Sequence, residues 1–435
     1  MTDTMPKGKI SRSFSSGKIA ARMGTNHLGF FIKRPFLSKE NQTQVKQKLD
    51  EKNAKILFQG LSLLRGTALK IAQMLSFERE FFPKSFQQEL EKSYNQVPPI
   101  NRALVRKIII NNFNAPPEEV FNSFDTKAFA AASLGQVHRA RSRENQSLAV
   151  KIQYPDIGQT ISNDIRLLKI ILRPMAEFGI IKTALDEIEQ VLLAETDYER
   201  EAQNIMFFSK FLNHPRVRIP TVTKALSTRH VLTMSCMEGM TLNHWLATNP
   251  DKDSKTQVAQ TLNDIFVKGF YELHLIHADP NPGNFLISPD LSVSLLDFGC
   301  IRSFEPDFVA LYQALVQQGG DHDKKAYQAL LTRMKFITPG LDADIGDRMV
   351  AVFMEIGDWY SQLFQNVQFD FGANPDFMEK GRKLGMKMHE FRHHINGINP
   401  EFIFLDRTRY GLIRLFEKME VKINIQNQYE YCKGG

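Results

Sequence analysis

Three polar side chains in two short motifs constrain this chain more than any other feature of its sequence. Asp279 and Asn284 lie five residues apart in HADPNPGN, and Asp297 of LLDFG follows Asn284 by thirteen residues. Two prolines and a glycine stiffen the first motif, so both of its polar side chains can be held at set positions. Residues 284–296 have the pattern of a short hairpin, which would bring Asp297 opposite Asn284. Because Mg²⁺ prefers oxygen ligands, we expect Asn284 and Asp297 to hold that ion.

Two motifs earlier in the chain would complete a site for phosphates. Small residues at Ala130, Ala132 and Gly135 of AAASLGQV would let a backbone turn lie close over phosphates and offer its N–H groups. Lys151 ends the apolar strand of LAVK, fourteen residues after Val137, and could reach the α- and β-phosphates. Each motif alone is a weak signal. All four motifs occur together, in the order found in protein kinases, and this combination predicts a kinase-like site. In such a site Asp279 would accept the proton of an attacking hydroxyl.

Two further segments supply the remaining predicted positions. Glu201 of ETDYEREA is expected to orient Lys151, although the acidic residues of this helical segment could equally form a solvated face. The end of the strand at residues 230–234 suits a hinge against adenine, with an ordinary buried strand as the alternative. His277 is predicted to be a buried histidine bonded to backbone. The predicted catalytic residues are Asp279, Lys151 and Glu201, and the predicted nucleotide-binding residues are Ala130, Ala131, Ala132, Ser133, Gly135, Val137, Lys151, Ser235, Cys236 and Met237.

Taken together, these segments resemble the UbiB/AarF atypical kinase-like family, which is associated with ubiquinone biosynthesis and isoprenoid lipid homeostasis. KIAQ, AAASLGQVH, LAVK, ETDYEREA, HADPNPGN and LLDFG carry the resemblance over residues 65–302, and FLDRTRYGLIRLF at 404–416 extends it. The family implies an α+β, two-lobed protein-kinase-like fold with a small β-containing N-lobe, a mostly helical C-lobe and an N-terminal helical extension. It also implies ATP and Mg²⁺ as cofactors, ATPase activity more readily than protein phosphorylation, and isoprenoid lipids or quinone precursors as partners.

The resemblance also implies a gate over the site. In this family a KxGQ helix lies over the pocket and blocks protein substrates; Lys70 and Gln73 match it, with Ala72 in place of the glycine. Glu195 and Asp197 match the ExD motif that faces this helix. Asn281 stands where the family usually has His, but the metal and base positions are intact, so we expect activity to survive.

Periodicity and composition set the domain organisation and exclude several classes. We expect a basic, loosely ordered arm at 1–40, a helical extension at 41–125, a kinase-like N-lobe with a helical insert at 126–237, and a helical C-lobe at 238–435. Hydrophobic residues make up 43% of the chain and charged residues 24%, which excludes global disorder. The three cysteines, Cys236, Cys300 and Cys432, are too few and too far apart for a disulfide scaffold.

Charge patterning sets the expected location of the chain. Charged residues interrupt the longest apolar stretch, residues 165–193, so we expect no membrane span. The net charge of +7 permits contact with anionic partners but does not argue for nucleic acid. We expect a cytoplasmic protein, with peripheral contact at the inner face of a membrane as an open alternative.

Two other classes of function stay open from the sequence. A pseudokinase scaffold would bind nucleotide without turnover, and its ligand residues would look the same. His389, Glu390 and His393 fit HExxH, the zinc-binding pattern of metallopeptidases. No third zinc ligand is obvious, and Lys387 and Arg392 add positive charge beside the motif, so we favour a charged helix surface there.

Overall fold

The computed structural model describes residues 71, 101–132, 134–173, 178–318, 323–337, 340–391, 394 and 400–431. The described chain divides into two compact units. The first comprises residues 101–200 and 223–235, and the second comprises 201–222 and the described residues from 236 to 431. Most of the predicted N-terminal arm and extension, including Lys70 and Gln73, lies outside the described residues. Over the described part of the chain, no helix combines the length and apolar character that a bilayer span requires.

The first unit is built on an antiparallel sheet of five strands. Its strands are β1 (Ser123–Phe124), β2 (Ala130–Ala132), β3 (Gly135–Arg141), β4 (Ser147–Gln153) and β6 (Val231–Ser235). The order is β1-β3-β4-β6, with β2 paired to β3. β4 is flanked by strands on both sides, and all of its residues except Ser147 are buried. β1 lies in the range predicted as a helical extension, yet it pairs with β3.

One face of this sheet is covered by a helix at the start of the described chain. Helix α1 (Arg102–Phe113) is capped by Asn101, whose side chain accepts a hydrogen bond from Leu104 N at 2.8 Å. Its Val105 and Ile109 are fully buried. They form one core with Phe121, Ala140, Leu148, Val150, Ile152 and Val231. A short helix α2 (Pro117–Val120) leads into β1.

Three helices follow β4, within the range where a helical insert is predicted. They are α3 (Ile157–Leu172), α4 (Phe178–Glu195) and α5 (Tyr198–Phe211). Lys169 on α3 joins the first two helices, because its ammonium pairs with Asp186 at 2.6 Å and Glu189 at 3.1 Å. Helix α5 begins in the first unit and continues into the second, with the division after Arg200.

The second unit is mostly helical. Its helices are α6 (Leu242–Ala247), α7 (Lys252–Tyr271), α8 (Pro306–Gln317), α9 (Lys324–Arg333), α10 (Ala343–Ser361), α11 (Phe377–Lys387) and α12 (Pro400–Met419). Helix α7 has a buried apolar face, formed by Val258, Leu262, Ile265, Phe266 and Phe270. Aspartates cap several of these helices, as Asp251 does for α7 by accepting from Ser254 N at 2.8 Å.

The second unit also contains eight strands of two or three residues each in its described part. They are β5 (Val217–Arg218), β7 (Met240–Thr241), β8 (Leu275–His277), β9 (Phe285–Ile287), β10 (Val293–Leu295), β11 (Ile301–Ser303), β12 (Gln368–Asp370) and β13 (Lys422–Asn424). They form a four-stranded sheet in the order β5-β10-β9-β7 and the two pairs β8-β11 and β12-β13. β9 and β10 are the hairpin predicted at residues 284–296, and their pairing places the segment after β10 beside the turn before β9.

Candidate active site

The alanine-rich motif forms a tight hairpin in the first unit. β2 pairs with β3 so that Ala132 lies opposite Gly135 and Ala130 opposite Val137. The structure therefore places the three alanines on a short strand; Ser133, in the connection, lies outside the described residues. A side chain at position 135 would collide with Ile152 O and would lie 2.9 Å from the Tyr198 hydroxyl. Gly135 is thus required where the hairpin approaches its neighbours most closely.

Lys151 lies at the centre of the same sheet. It stands opposite Val137 on β3 and Leu232 on β6, and only 5% of its surface is exposed. The register therefore brings the lysine next to the hairpin, as the sequence predicted. Its Nζ lies 5.1 Å from the centre of the Tyr198 ring, within the range of a cation–π contact. Sequence reasoning missed Tyr198, although its place in ETDYEREA was a usable signal.

The ETD segment forms the turn between α4 and α5. Glu195, the last residue of α4, is buried. Asp197 caps α5, because its Oδ1 accepts hydrogen bonds from Glu199 N and Arg200 N, both at 3.1 Å. The Gln153 side chain donates to Thr196 O at 2.6 Å and so ties this turn to β4. The predicted gating role of Glu195 and Asp197 remains a prediction, since Lys70 and Gln73 lie outside the described residues.

The predicted hinge falls where the two units divide. Ser235 is the last residue of β6, opposite Leu148, and Cys236 and Met237 follow as half-buried residues. Cys236 is a free thiol. β6 begins at Val231, one residue later than predicted, because the Thr228 hydroxyl oxygen accepts from the amides of both His230 and Val231.

In the second unit, hydrogen bonds within HADPNPGN hold the Asn284 side chain against the backbone of Asp279. Asn281 accepts from Gly283 N at 2.9 Å, which fixes the 3-10 turn over Pro282–Asn284. Asn284 Nδ2 donates to Asp279 O at 3.3 Å. Because the amide N–H₂ of Asn284 is engaged in this bond, its carbonyl oxygen is the group left to face a cation. Asp279 itself is 8% exposed.

The LLDFG motif lies directly beside this turn. Leu296 N donates to Asn284 O at 2.9 Å, so the backbone of Asn284 is joined to the residue just before Asp297. Asp297 has a backbone φ of +44°, in the left-handed region that Asp tolerates better than most residues. Its Oδ1 accepts from Gly299 N at 3.2 Å. Two oxygen donors on neighbouring turns suit a hard cation such as Mg²⁺.

Two buried residues support the backbone of LLDFG. His277 Nε2 lies 2.7 Å from Asp297 O and 3.1 Å from Leu296 O, which confirms the prediction of a backbone-bonded histidine. Phe298 is fully buried, and its ring meets those of Phe208 and His277 edge-on, at 5.5 and 5.6 Å. The position of Asp297 is therefore set by an aromatic core beneath it as well as by hydrogen bonds.

Helix α5 holds both backbone groups of Phe298. Glu201 Oε1 accepts from Phe298 N at 3.2 Å, and Asn204 Nδ2 donates to Phe298 O at 2.9 Å. Glu201 is 1% exposed and so is part of the buried structure, not of a solvated acidic face. Its predicted pairing with Lys151 remains a prediction. Asn204 was missed by sequence reasoning, because nothing local marks a contact across 94 residues.

A close helix contact positions the other side of the HADPNPGN turn. Gly411 on α12 lies against Pro280, and a side chain there would come within 2.5 Å of Pro280 Cγ. Gly411 belongs to FLDRTRYGLIRLF, the segment that extends the family resemblance. This segment thus contributes to the site by packing.

The HExxH pattern shows no zinc site in the part of the chain that the structure describes. Glu390 is exposed and pairs with Arg348 at 2.6 Å. The His389 side chain and His393 lie outside the described residues. Across the described ranges, no group of three or more His, Cys, Asp or Glu side chains is arranged to hold a metal ion.

Comparison with known proteins identifies the domain. Residues 92–331 match the ABC1 atypical kinase-like domain. The chain is 28% identical over 434 residues to the mitochondrial atypical kinase COQ8B of Rattus norvegicus, covering 98% of this chain and 80% of that protein. It is 28% identical over 364 residues to the mitochondrial atypical kinase COQ8 of Saccharomyces cerevisiae, covering 82% and 72%.

A solved structure supports the fold. The Rv3197–erythromycin complex from Mycobacterium tuberculosis matches with a TM-score of 0.60 at 21% identity, covering 88% of this chain and 96% of that one. The kinase-like α+β fold predicted from the sequence is confirmed. The chain belongs to the UbiB family of atypical kinases, of which the ABC1 atypical kinase-like domain is the shared element.

Proposed function

We propose that this chain is a Mg²⁺-dependent, ATP-binding ATPase or phosphotransferase of the UbiB type. The observation that supports the proposal is the hydrogen bond from Leu296 N to Asn284 O, which joins the turn of Asn284 to the segment that leads into Asp297. Bound Mg²⁺ would neutralise negative charge on the phosphates of ATP. Asn284 and Asp297 would hold the ion through their side-chain oxygens.

The first unit would supply the groups that bind the nucleotide. Lys151 would contact the α- and β-phosphates, and the hairpin from Ala130 to Gly135 would cover them. Ser235, Cys236 and Met237 would border adenine at the hinge. Burial supports these roles for Lys151, because a buried ammonium requires anionic or aromatic partners and a phosphate is one of them.

Asp279 would act on the acceptor. Its carboxylate can position a hydroxyl or a water molecule and take up its proton as the phosphoryl group leaves ATP. The backbone oxygen of Asp279 is held by Asn284 Nδ2, so the proposed base and the proposed metal ligand share one rigid turn. Glu201 would orient Lys151 while its carboxylate also anchors Phe298 N.

The metabolic role is proposed from the family. UbiB relatives suggest that the activity supports ubiquinone or other isoprenoid lipid metabolism, with isoprenoid lipids or quinone precursors as partners. Lys70 and Gln73, with Glu195 and Asp197, would exclude protein substrates. We further propose a cytoplasmic chain with peripheral contact to a membrane; the COQ8 relatives compared above are named as mitochondrial proteins.

A thermal-shift experiment tests the cation site. ATP with Mg²⁺ should raise the unfolding midpoint of the chain, and EDTA should abolish the part of the shift that depends on Mg²⁺. Asp297→Asn should remove that part, since Asn has the size and backbone tolerance of Asp but lacks its charge. Asp290→Asn is the matched control, because Asp290 is an exposed aspartate of the same unit that pairs with Arg218. A full Mg²⁺-dependent shift in Asp297→Asn would refute the assignment of the metal.

Phosphate release separates an enzyme from a nucleotide-binding scaffold. Turnover should occur in the wild type, with and without anionic liposomes or phenolic mimics of quinone precursors. It should fall on the order of a hundredfold or more in Asp279→Asn while the thermal shift persists, as expected for loss of a general base. A wild type that binds Mg²⁺ and ATP but releases no phosphate under any of these conditions would instead be a pseudokinase scaffold.

A further inference from the structure

Tyr198 contacts the two parts of the first unit that would handle phosphates. Its ring centre lies 5.1 Å from Lys151 Nζ, and its hydroxyl lies close enough to Gly135 that a Cβ there would be 2.9 Å away. Tyr198 and Lys151 are 1% and 5% exposed, so water does not separate them from their surroundings. Attraction between a cation and a ring is strongest when both are desolvated.

The ring is fixed at this place by the backbone around it. Tyr198 is the first residue of α5, and its N–H donates to Arg229 O at 3.4 Å. Asp197 caps the helix start, and Gln153 on β4 binds Thr196 O just before it. The turn that carries the tyrosine is therefore attached to the strand that carries the lysine. A ring held in this way limits where the ammonium of Lys151 can lie.

We propose that Tyr198 is a positioning residue for Lys151. Its ring stabilises the ammonium and keeps it beside the β2–β3 hairpin, so that the lysine is oriented before a nucleotide arrives. The ring, rather than the hydroxyl, does this, because the negative face of the ring attracts the cation. This inference rests on the proposed function insofar as the nucleotide is the ligand of Lys151.

Substitutions at position 198 distinguish an effect of the aromatic ring from an effect of side-chain volume. Tyr198→Leu and Tyr198→Met remove the ring, and the unbranched, flexible Met side chain can fill the space differently should Leu compromise folding. Tyr198→Phe retains the ring. Phe121→Leu is the matched control, since Phe121 is a fully buried ring of the same unit whose centre lies 5.4 Å from that of Phe124. Thermal unfolding of all four full-length variants measures the stability lost by each.

The first readout needs no nucleotide. Modification of Lys151 by a small amine-reactive reagent is followed by mass spectrometry in the absence of ATP. We expect Leu and Met at position 198 to speed the modification several-fold, Phe to restore most of the protection, and Phe121→Leu to have no effect at equal loss of stability. Protection equal to the wild type in Tyr198→Leu and Tyr198→Met would overturn the proposal, as would equal deprotection in Phe121→Leu.

The second readout is the kinetics of turnover with Mg²⁺ and ATP. Loss of the ring should raise KM for ATP roughly tenfold, with a smaller change in kcat, and Phe should recover most of the loss. An unchanged KM in Tyr198→Leu and Tyr198→Met, with turnover intact, would refute the positioning role alone. A wild type that binds no ATP would refute the proposed function, while the modification experiment would still decide whether the ring holds Lys151.

Discussion

Glu201 Oε1 accepts a hydrogen bond from Phe298 N at 3.2 Å, which joins helix α5 to the LLDFG motif. A carboxylate on one helix thereby fixes the backbone one residue beyond Asp297. Asn204, one turn further along α5, holds Phe298 O at 2.9 Å. A shift of α5 along its axis would therefore displace the proposed metal ligand. In this fold, the helix that would orient the lysine also sets the backbone beside Asp297.

Removing the carboxylate of Glu201 should lower both the stability of the protein and its rate of turnover, and two variants can separate these effects. Glu201→Ala leaves the N–H of the fully buried Phe298 without an acceptor, and the free energy of unfolding should fall by about 1–3 kcal/mol. Glu201→Gln retains an acceptor oxygen and should lose less stability, yet it should lose turnover as Glu201→Ala does if the charge orients Lys151. Chemical denaturation and phosphate release measure the two effects. Glu199→Ala, on the exposed side of the same helix, is the control and should stay within about 0.5 kcal/mol of the wild type.

The β2–β3 hairpin should tolerate no side chain at position 135. Gly135→Ala places a Cβ against Ile152 O and the Tyr198 hydroxyl, so the β2–β3 hairpin must move away from β4. We expect a loss of about 1–3 kcal/mol in the free energy of unfolding, together with loss of the Mg²⁺–ATP thermal shift. Gly179→Ala on α4 meets no atom within 4 Å and should be neutral or stabilising by up to about 1 kcal/mol. Equal behaviour of the two variants would contradict the tight packing of the hairpin.

His138 should make the first unit sensitive to mild acid. It is fully buried on β3, stacked on Phe124, with Nδ1 2.8 Å from Asp125 O and Nε2 2.8 Å from Gln136 Nε2. Burial holds the pKa of His138 below its ordinary value of 6.5, although the neighbouring Asp125 carbonyl opposes the shift. The unfolded chain therefore takes up a proton at higher pH than the folded chain does. The stability is present above pH 6.5 and decreases as the pH falls below that value.

Denaturant titrations at pH 7, 6 and 5 test this effect. The wild type should lose free energy of unfolding across the series. His138→Phe should be less stable at pH 7, because the hydrogen bonds of the imidazole are lost, but it should show a flatter dependence on pH. His230→Gln, an exposed histidine of the same unit, should keep the slope of the wild type. A slope in His138→Phe as steep as that of the wild type would assign the acid sensitivity to other groups.

A buried ion pair joins Glu430, near the end of the described chain, to Arg409 on helix α12. Arg409 Nη2 lies 2.9 Å from Glu430 Oε2, and the two side chains are 2% and 0% exposed. Glu430 also accepts from the Tyr271 hydroxyl at 3.0 Å, and the guanidinium lies 4.8 Å from the ring centre of Phe266. Removing one partner by Arg409→Met or Glu430→Gln should cost about 3–5 kcal/mol, since the other remains buried without its partner.

Comparison with a surface pair isolates the effect of burial. Arg218→Met breaks the pair between Arg218 and Asp290. Both of these side chains are about half exposed, so the loss of stability should be much smaller than for the buried pair. The double variant Arg409→Met with Glu430→Leu should regain part of the stability lost by either single change, as measured by chemical denaturation. A small effect of both single changes would mean that the segment around Glu430 contributes little to the second unit.

The sequence sufficed where chemistry and spacing are local. Asp279, Asn284 and Asp297 lie within nineteen residues, and a turn and a hairpin make their backbone segments neighbours. His277 could be recognised for the same reason. Asn204 with Phe298, and Arg409 with Glu430, could not, because these pairs depend on how helices pack and no local periodicity reports it. Tyr198 is intermediate: its motif was visible, but its contact with Lys151 depends on the position of α5 relative to β4.

The contact between Gly411 and Pro280 has a consequence for genetics. Any side chain at position 411 must displace Pro280, the residue after Asp279, because a Cβ there would lie 2.5 Å from Pro280 Cγ. A missense allele there would behave as a loss-of-function allele although it alters no ligand. Intragenic suppressors of such an allele should map to codon 280, where a smaller residue restores the room that the new side chain takes.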